Sequence, residues 1–397
     1  MINRNYPQTQ RGPYARQAYI SGFLIALCLW STLAAQPLAP QPPWPRVGPG
    51  LEYHHIRRGN QPWSVHVLKI DRSHRELTFT TQLARGHIFD LAPVSQQIRQ
   101  LPENLGEPLA AVNGDFFRIR PGPYRGDPLG LHIVRGELVS SPIGTSFWLD
   151  PCGLPHIEEV TPRFRAVSPG DLNLTFTLNQ QRLPDKAVLY TPTLGPSTRT
   201  SSGRELILEQ VDDKPWLPLR PGGRYQARLK AIRQQGNTPL SPDIMVLSIG
   251  PGLDKNLPPI RVGDQITLSL RTHPDLTGVQ TALGGGPILL RQGKPRTWKS
   301  PQPRHPRTVV AWNREFIFLF VVDGRQPGLS IGMTYPEMAT MLLQLGCQEA
   351  LNLDGGGSST FWLDGRLMNS PSDGRERSVA NALILTRLNE KTTSPPK

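Results

Sequence analysis

The sequence predicts an α+β fold class: a strand-rich mixed-sheet core with few helices and a β-rich accessory region. The chain of 397 residues contains 42 prolines and 37 glycines, and both residue types interrupt helices. Short apolar runs alternate with turn residues along most of its length, which is typical of strands. Near the carboxyl end a strand pattern, a helix pattern and a second strand pattern follow one another.

The amino-terminal residues predict export. Arginines precede an uncharged apolar stretch at residues 18–35, the usual order in an export signal. This stretch is close to the roughly 20 residues that span a bilayer, so residues 1–35 fit either a cleaved signal peptide or an N-terminal membrane anchor. A proline-rich linker follows at residues 36–50. We expect a protein of the periplasm, the cell envelope or the medium.

The remaining chain divides into four predicted parts. Residues 51–150 and 278–388 are expected to form the two parts of one catalytic domain, with a β-rich middle region at residues 151–277 and a disordered tail at residues 389–397. Alternating apolar residues bounded by turns predict strands at residues 64–70, 76–83, 109–112, 131–134, 145–149, 187–190, 205–211, 225–232, 244–249 and 265–270. The middle region is expected to contribute shape and substrate selection.

Two acids follow predicted strands in the carboxyl-terminal part. Residues 316–322, FIFLFVV, form a continuous apolar run that fits a strand buried on both faces and ends at Asp323. A shorter strand at residues 350–353 leads to Asp354. Strand ends are common positions for sites in α/β proteins, so both acids are candidates.

A helix is predicted between these strands. Thr334 and Glu337 form a capping-box pair, and Gly346 is a natural stop. Apolar residues lie between them at the spacing of one helix face: Met338, Met341, Leu342 and Leu345. Core packing is the simplest explanation of the methionines.

Charge and cysteine content narrow the possible partners. The formal net charge of +13 attracts anions, but the basic residues are scattered and form no lysine-rich tail. This favours a discrete anionic ligand, such as an anionic glycan or sugar phosphate, over a nucleic acid, and we expect no nucleic-acid partner. A solvated basic surface fits the charge equally well. Cys28 lies in the apolar amino-terminal stretch, and Cys152 and Cys347 could pair or stay reduced. Neither C-x-x-C nor a Cys/His cluster occurs, so the cysteines support neither a structural zinc site nor a redox dithiol. We expect no metal and no cofactor, with an all-oxygen calcium or magnesium site as the alternative.

The most informative motif is NLDGGGSST at residues 352–360. Three consecutive glycines lose much backbone entropy on folding, which indicates a geometric need such as the close approach of an anion to bare N–H groups. The neighbouring Asp354 and hydroxyl groups favour a binding site over a structural turn. The candidate binding residues here are Gly355, Gly356, Gly357 and Ser358. A nucleotide P-loop is excluded, because no Gly-Lys-Ser/Thr follows.

Several other motifs are weak singly but form an ordered series. They are NGDFF at residues 113–117, VLYTPTLGPSTRT at 188–200, GGGP at 284–287, HPRT at 305–308, VDGRQPGLSIGMT at 322–334, LNLDGGGSST at 351–360 and ERSVANALIL at 376–385. In this order they resemble the phosphodiester glycosidase family, and the middle region looks like the longer bacterial form. Asp115 stands where the family usually has glycine, and Ser378 stands where it usually has proline. Neither departure removes a candidate catalytic side chain.

The resemblance implies hydrolysis of a sugar C1–O–phosphate bond to free sugar and a phosphomonoester, in exopolysaccharide or cell-envelope glycan metabolism. Phosphate is already a good leaving group, so the site should mainly neutralise charge and stabilise an oxocarbenium-like sugar. Asp354 and Glu376 are predicted as the principal carboxylates, one as nucleophile or stabiliser and the other directing water or a proton. Arg307 and Arg377 are predicted to grip the phosphate with two nitrogens each.

Asn113 and Asp323 are predicted to hold sugar hydroxyls or orient the carboxylates, with Asp323 counted among the catalytic acids. The structural alternative for Asp323 is a turn cap. Two other functions fit the same sequence. One is a non-catalytic glycan-binding or exopolysaccharide export protein that uses the same pocket. The other is a divalent-metal phosphodiesterase with Asp323, Asp354 and Asp373 as oxygen ligands.

Overall fold

A computed structural model describes residues 44–59, 62–211 and 215–388. The predicted signal or anchor, most of the proline-rich linker and the predicted tail lie outside these residues. Within the described ranges, no helix is both long enough and apolar enough to span a bilayer.

Strands dominate the described chain. Those of the amino-terminal part are β1 (Arg46–Gly48), β2 (Leu51–Arg58), β3 (Trp63–Asp71), β4 (Leu77–Leu83), β5 (Glu107–Asn113), β6 (His132–Val134), β7 (Glu137–Ser140), β8 (Thr145–Leu149) and β9 (Pro155–Glu159). Those of the middle are β10 (Thr161–Val167), β11 (Asn173–Thr175), β12 (Thr177–Leu178), β13 (Ala187–Tyr190), β14 (Arg204–Gln210), β15 (Arg224–Arg233), β16 (Ile244–Ile249) and β17 (Gln265–His273). The last are β18 (Thr281–Gly284), β19 (Ile288–Arg291), β20 (Lys294–Pro295), β21 (Arg307–Trp312), β22 (Phe316–Val322), β23 (Glu349–Asn352), β24 (Phe361–Leu363), β25 (Arg366–Leu367) and β26 (Asn381–Arg387). The α-helices are α1 (Val94–Arg99), α2 (Pro251–Asp254) and α3 (Tyr335–Gln344).

Two sheets built from both ends of the chain enclose one apolar core. The larger has the order β1-β2-β3-β22-β21-β23-β19-β20, and the smaller has the order β25-β24-β5-β26-β4. Buried residues of both sheets, such as Leu68, Leu319 and Leu383, belong to one cluster. Helix α3 covers the other face of the larger sheet, where Met338 and Met341 pack. Strand β22 is therefore buried on both faces, as its apolar run predicts.

The capping box at the start of α3 is confirmed. The Thr334 hydroxyl accepts from the Glu337 N–H at 3.2 Å, and the Thr334 N–H donates to the Glu337 carboxylate at 2.8 Å. These bonds satisfy two groups that the first helical turn leaves without intrahelical partners.

The predicted strand–helix–strand unit is present as β22, α3 and β23, but these two strands are not neighbours. Strand β21 lies between them and pairs antiparallel with both. Only residues 313–315 join β21 to β22, and such a short connection requires a hairpin, so α3 must bridge to the far side of β21. Consequently β22 and β23 run parallel. Asp323 and Asp354 therefore follow the carboxyl ends of these two strands, on the same side of the sheet.

The observed strand pairing corrects the expectation of a mixed-sheet core. Every neighbouring pair in the two core sheets is antiparallel, and the parallel pair among the described strands joins β12 to β13 in the middle region. The fold is strand-rich, as predicted. Its few helices cover sheet faces and do not connect neighbouring parallel strands.

The middle strands form a sheet of their own, in the order β11-β10-β17-β15-β14-β16-β13-β12. A further five-stranded sheet has the order β7-β6-β18-β8-β9 and combines strands from before and after it. The predicted domain boundaries stay predictions.

Both cysteines in the described residues are free thiols. Cys152 is exposed and Cys347 is buried. Burial raises the pKa of the Cys347 thiol to about 12, so it remains protonated at neutral pH.

Candidate active site

Asn113 connects three segments of the candidate site. It ends β5 and is fully buried. Its side-chain oxygen accepts from the Thr308 hydroxyl at 2.7 Å and from the Thr360 N–H at 3.1 Å, and its amide donates to the Asp354 carbonyl at 2.7 Å. The Asp354 N–H also donates to the Gly114 carbonyl at 3.0 Å. Of the two roles predicted for Asn113, this geometry supports orientation of the Asp354 loop.

Asp354 occupies a largely buried position at the start of the glycine-rich loop. Burial raises the pKa of its carboxyl. A hydrogen bond from Ser358, the Gly355 N–H at 2.8 Å and the charge of Arg377 act in the opposite direction. The Ser358 hydroxyl in turn accepts from Nη1 of Arg377 at 3.4 Å. Asp354, Ser358 and Arg377 therefore form one polar chain, which brings together three predicted site residues.

Two guanidinium groups lie directly against the glycine triplet. A methyl group on Gly357 would collide with the Arg377 guanidinium, and one on Gly356 would lie 3.0 Å from Nη2 of Arg325. Gly356 also has a φ of 62°, which favours glycine. Bare backbone beside two cations is the environment expected for an anion. Arg325 was not among the predicted site residues, although it lies within the family-like motif that follows β22.

Arg307, like Arg377, donates to protein partners. Its Nη1 donates to the Tyr335 hydroxyl at 3.0 Å, its Nη2 donates to the Pro303 carbonyl at 3.1 Å, and its guanidinium carbon lies 4.2 Å from the centre of the Tyr335 ring. Its side-chain stem lies beside Gly355. Two of its three nitrogens thus already have protein partners, and phosphate contact by Arg307 stays a prediction.

Asp323 is buried behind the glycine-rich loop. Its Oδ2 accepts from the Ser64 hydroxyl at 2.8 Å and lies 3.2 Å from Nε2 of His66. Its Oδ1 accepts from the Asn369 amide at 3.2 Å and from the Ser370 N–H at 2.8 Å. The carboxylate is 1% exposed. The geometry supports an orienting position, and direct catalysis by Asp323 stays a prediction.

The network around Asp323 reaches the glycine-rich loop. Asn369 also donates to the Ser359 carbonyl at 3.0 Å and accepts from the Phe361 N–H at 2.7 Å. On the opposite side, the Tyr53 hydroxyl lies 2.7 Å from Nδ1 of His66. Strands β2 and β3 thereby support the loop through buried polar side chains.

Glu376 faces a surface cleft of about 660 Å³. One of its oxygens accepts from the Ser95 N–H at 3.1 Å and the other accepts from the Ser95 hydroxyl. The cleft is also lined by Phe117, Ile119, Arg125, Asp373, Arg375 and Arg377. No motif indicated Ser95, because it is 281 residues from Glu376 in the chain and only the fold brings them together.

Asp115 adds a buried carboxyl that the motif did not single out as functional. Its Oδ1 accepts from the Phe116 N–H and its Oδ2 from the Gly130 N–H, both at 2.7 Å. A methyl group on Gly284 would lie 2.5 Å from Oδ2, so glycine is needed there to leave room. Burial, with a smaller contribution from the charge of Asp354, raises the pKa of Asp115 to about 7.

The three acids of the metal alternative do not form a cluster. Across residues 44–59, 62–211 and 215–388, no group of three or more His, Cys, Asp or Glu side chains is arranged to hold a metal ion. Asp323 is instead occupied by protein donors, and Asp373 forms an ion pair with Arg377 at 2.8 Å.

Comparison with known proteins confirms the resemblance drawn from the motifs. Residues 246–386 match the family model described as phosphodiester glycosidase. An uncharacterised prophage-derived protein of Bacillus subtilis is 33% identical over 123 residues, which cover 30% of this chain and 19% of that protein. Mouse N-acetylglucosamine-1-phosphodiester alpha-N-acetylglucosaminidase is 47% identical over 70 residues, covering 17% of this chain and 13% of the enzyme. The chain therefore matches less than a fifth of the length of either relative.

Solved structures share the fold over a longer range. A hypothetical protein from Synechocystis superposes with a TM-score of 0.67 at 21% identity, covering 85% of this chain and 62% of that one. A protein from Burkholderia pseudomallei superposes with a TM-score of 0.63 at 23% identity, covering 82% and 74%. These similarities establish the fold alone.

Proposed function

We propose that this chain hydrolyses a sugar-1-phosphodiester, because residues 246–386 match the model of the phosphodiester glycosidase family. The observation that carries the proposal is the pair of guanidinium groups, Arg325 and Arg377, against bare glycine backbone beside Asp354. Cleavage of a sugar–phosphate bond requires protein groups that bind the anionic phosphate and a carboxylate next to them. The name of the mouse relative suggests N-acetylglucosamine as the sugar.

In the proposed reaction, the C1–O bond to phosphate breaks and a water oxygen becomes bonded to C1. The departing phosphomonoester carries negative charge, which Arg325, Arg377 and the loop N–H groups stabilise. Positive charge that develops on the sugar ring is stabilised by the carboxylate of Asp354. Glu376, held by Ser95 at the edge of the cleft, directs the water or the proton.

The test is product analysis with N-acetylglucosamine-1-phosphodiesters in heavy-oxygen water. We expect the label in the free sugar, because water attacks carbon. Label in the phosphate would instead identify attack at phosphorus and overturn the glycosidase proposal. Binding of the sugar phosphodiester without any turnover would support the glycan-binding alternative.

A second comparison tests the anion cradle. Arg377→Lys keeps the positive charge but loses the bidentate hydrogen bonding of a guanidinium group to phosphate. We expect kcat/KM for the phosphodiester to fall roughly tenfold to a hundredfold, with little change for a neutral aryl glycoside of the same sugar. Equal losses on both substrates would place the role of Arg377 in the fold or the sugar subsite.

We further propose that the protein acts outside the cytoplasm on exopolysaccharide or cell-envelope glycans. The support is the apolar stretch at residues 18–35 after arginines, together with the net charge of +13.

A further inference from the structure

The cleft beside Glu376 is lined by more arginines than acids. Arg377 is paired with Asp373, and both oxygens of Glu376 accept from Ser95. Arg125 and Arg375 also line the cleft, one from each of two loops. Within the described ranges, neither of these two side chains has an ion pair or a hydrogen bond.

The loop that carries Arg125 is anchored at both ends. The Arg118 N–H donates to the Asp127 carbonyl, and the Gly126 N–H donates to the Arg118 carbonyl, both at 2.9 Å. Gly126 has a φ of 98°, and a side chain there would collide with the backbone of Phe89. The loop is therefore held in one conformation and presents Arg125 at a defined place.

The middle region supplies further anchors through a motif that the proposed reaction does not use. The Tyr124 hydroxyl donates to the Arg199 carbonyl at 3.2 Å, and Nη1 of Arg199 donates to the Pro123 carbonyl at 2.8 Å. The Arg199 guanidinium lies 4.9 Å from the centre of the Phe89 ring. The motif at residues 188–200 thus positions the loop that forms one wall of the cleft.

The loop that carries Arg375 is anchored as well. The Gly374 N–H donates to the Pro371 carbonyl at 3.0 Å, and the neighbouring side chains of Glu376 and Arg377 have protein partners. Two cations with no side-chain partner among the described residues therefore line one cleft from anchored loops. This reduces the entropy lost when an anion binds between them.

We propose that Arg125 and Arg375 form a second anion subsite, which selects substrates whose alcohol, beyond the scissile phosphate, carries its own carboxylate or phosphate. This inference rests on the proposed function and specifies its substrate class: the sugar-1-phosphodiester of an acidic alcohol. Arg325 and Arg377 hold the phosphate that is cleaved, and the second pair holds the charge on the leaving alcohol.

The experiment compares three N-acetylglucosamine-1-phosphodiesters, whose alcohols are 1-propanol, 3-hydroxypropanoate and the monophosphate of 1,3-propanediol. We expect the parent to prefer the acidic substrates by on the order of tenfold in kcat/KM. Arg125→Gln and Arg375→Gln should each reduce this ratio severalfold. Arg120→Gln is the matched control, because Arg120 is an exposed arginine of the same loop that does not line the cleft. It should leave the ratio unchanged.

Binding of the expected products separates this inference from the proposed reaction. The Kd of 3-phosphooxypropanoate should be lower than that of propyl phosphate in the parent, and this preference should weaken in the two variants and persist in Arg120→Gln. Failure to hydrolyse any phosphodiester, with the binding preference intact, would overturn the proposed reaction and retain the subsite. Equal kcat/KM and equal Kd for acidic and neutral compounds, or a preference that both variants retain, would overturn the subsite.

Discussion

At the scale of single residues, the site depends on a few carboxyl groups in contrasting surroundings. Asp354 is largely buried beside the glycine triplet, Asp115 is buried between backbone N–H groups, and Glu376 is held at the edge of a cleft by Ser95. Sequence motifs predict Asp354 and Glu376 as site residues, because acids next to glycine and arginine are conspicuous. Ser95 carries no such signal. Arg325 is part of the motif at residues 322–334, but only the fold places it against the glycine-rich loop.

Asp354→Asn should leave a folded protein that has lost at least about a hundredfold in kcat on a sugar-1-phosphodiester. The substitution removes negative charge beside the reacting carbon and preserves side-chain size. Circular dichroism and steady-state kinetics would check the two statements. Asp364→Asn, at an exposed turn between β24 and β25, is the control and should be active. Near-normal turnover by Asp354→Asn would remove Asp354 from the mechanism.

Asp115→Asn should make stability less dependent on pH. The pKa of Asp115 is about 7 in the folded protein against 3.8 for the unperturbed group, so the parent loses stability as pH rises from about 4 to about 7. This loss approaches about 1.4 kcal/mol per pH unit, and the asparagine variant should not show it. At pH 5 the variant should be less stable than the parent, because each carboxyl oxygen of Asp115 accepts from a backbone N–H and the asparagine NH₂ group cannot replace one of them as an acceptor. Urea unfolding at pH 5, 6, 7 and 8 measures the difference, and parallel curves for the two proteins would contradict it.

At the scale of elements, the edge shared by β21, β22 and β23 places the candidate groups together. The hairpin between β21 and β22 puts Arg307 next to the end of β22, and the crossover through α3 brings Asp354 to the same edge. Buried side chains behind this edge then hold the glycine-rich loop. Asp323 is the centre of that support.

Asp323→Asn should destabilise the protein by about 3 kcal/mol, since an amide nitrogen would face donors where a carboxylate oxygen now accepts from them. Urea unfolding measures this loss. Asp373→Asn is the control: its ion pair with Arg377 is near the surface, so the cost should stay below about 1 kcal/mol. An Asp323→Asn protein with parental stability and no activity would show that Asp323 acts directly in catalysis.

At the scale of the whole molecule, strands from both ends of the chain form the two core sheets, and the middle region forms a sheet of its own. Its motif at residues 188–200 anchors the loop that borders the cleft. If the middle region contributes to substrate selection, as we expect, it can do so by positioning this loop. The net charge of +13 attracts anions to the protein in general.

Fractionation of the source cell should find the protein outside the cytoplasm. The basis is the apolar stretch at residues 18–35 after several arginines. Immunoblots of cytoplasm, membrane, periplasm and medium would check it, with removal of residues 1–35 as the matched control that should retain the protein in the cytoplasm. A parent protein found mainly in the cytoplasm would contradict the prediction.

The sequence by itself determined the local structure of this protein and its resemblance to the phosphodiester glycosidase family. The continuous run at residues 316–322 and the capping box of α3 match the observed elements, because strand burial, helix capping and the spacing of apolar residues depend on near neighbours in the chain. Tertiary structure decided the order of the strands, the burial of Asp323 and the meeting of Ser95 with Glu376. Tertiary structure also decided that Arg307 donates to the Tyr335 hydroxyl and that the Arg325 guanidinium lies beside Gly356. These features depend on contacts between segments that are far apart in the chain, and which segments meet is set by how the sheets bury their apolar faces together.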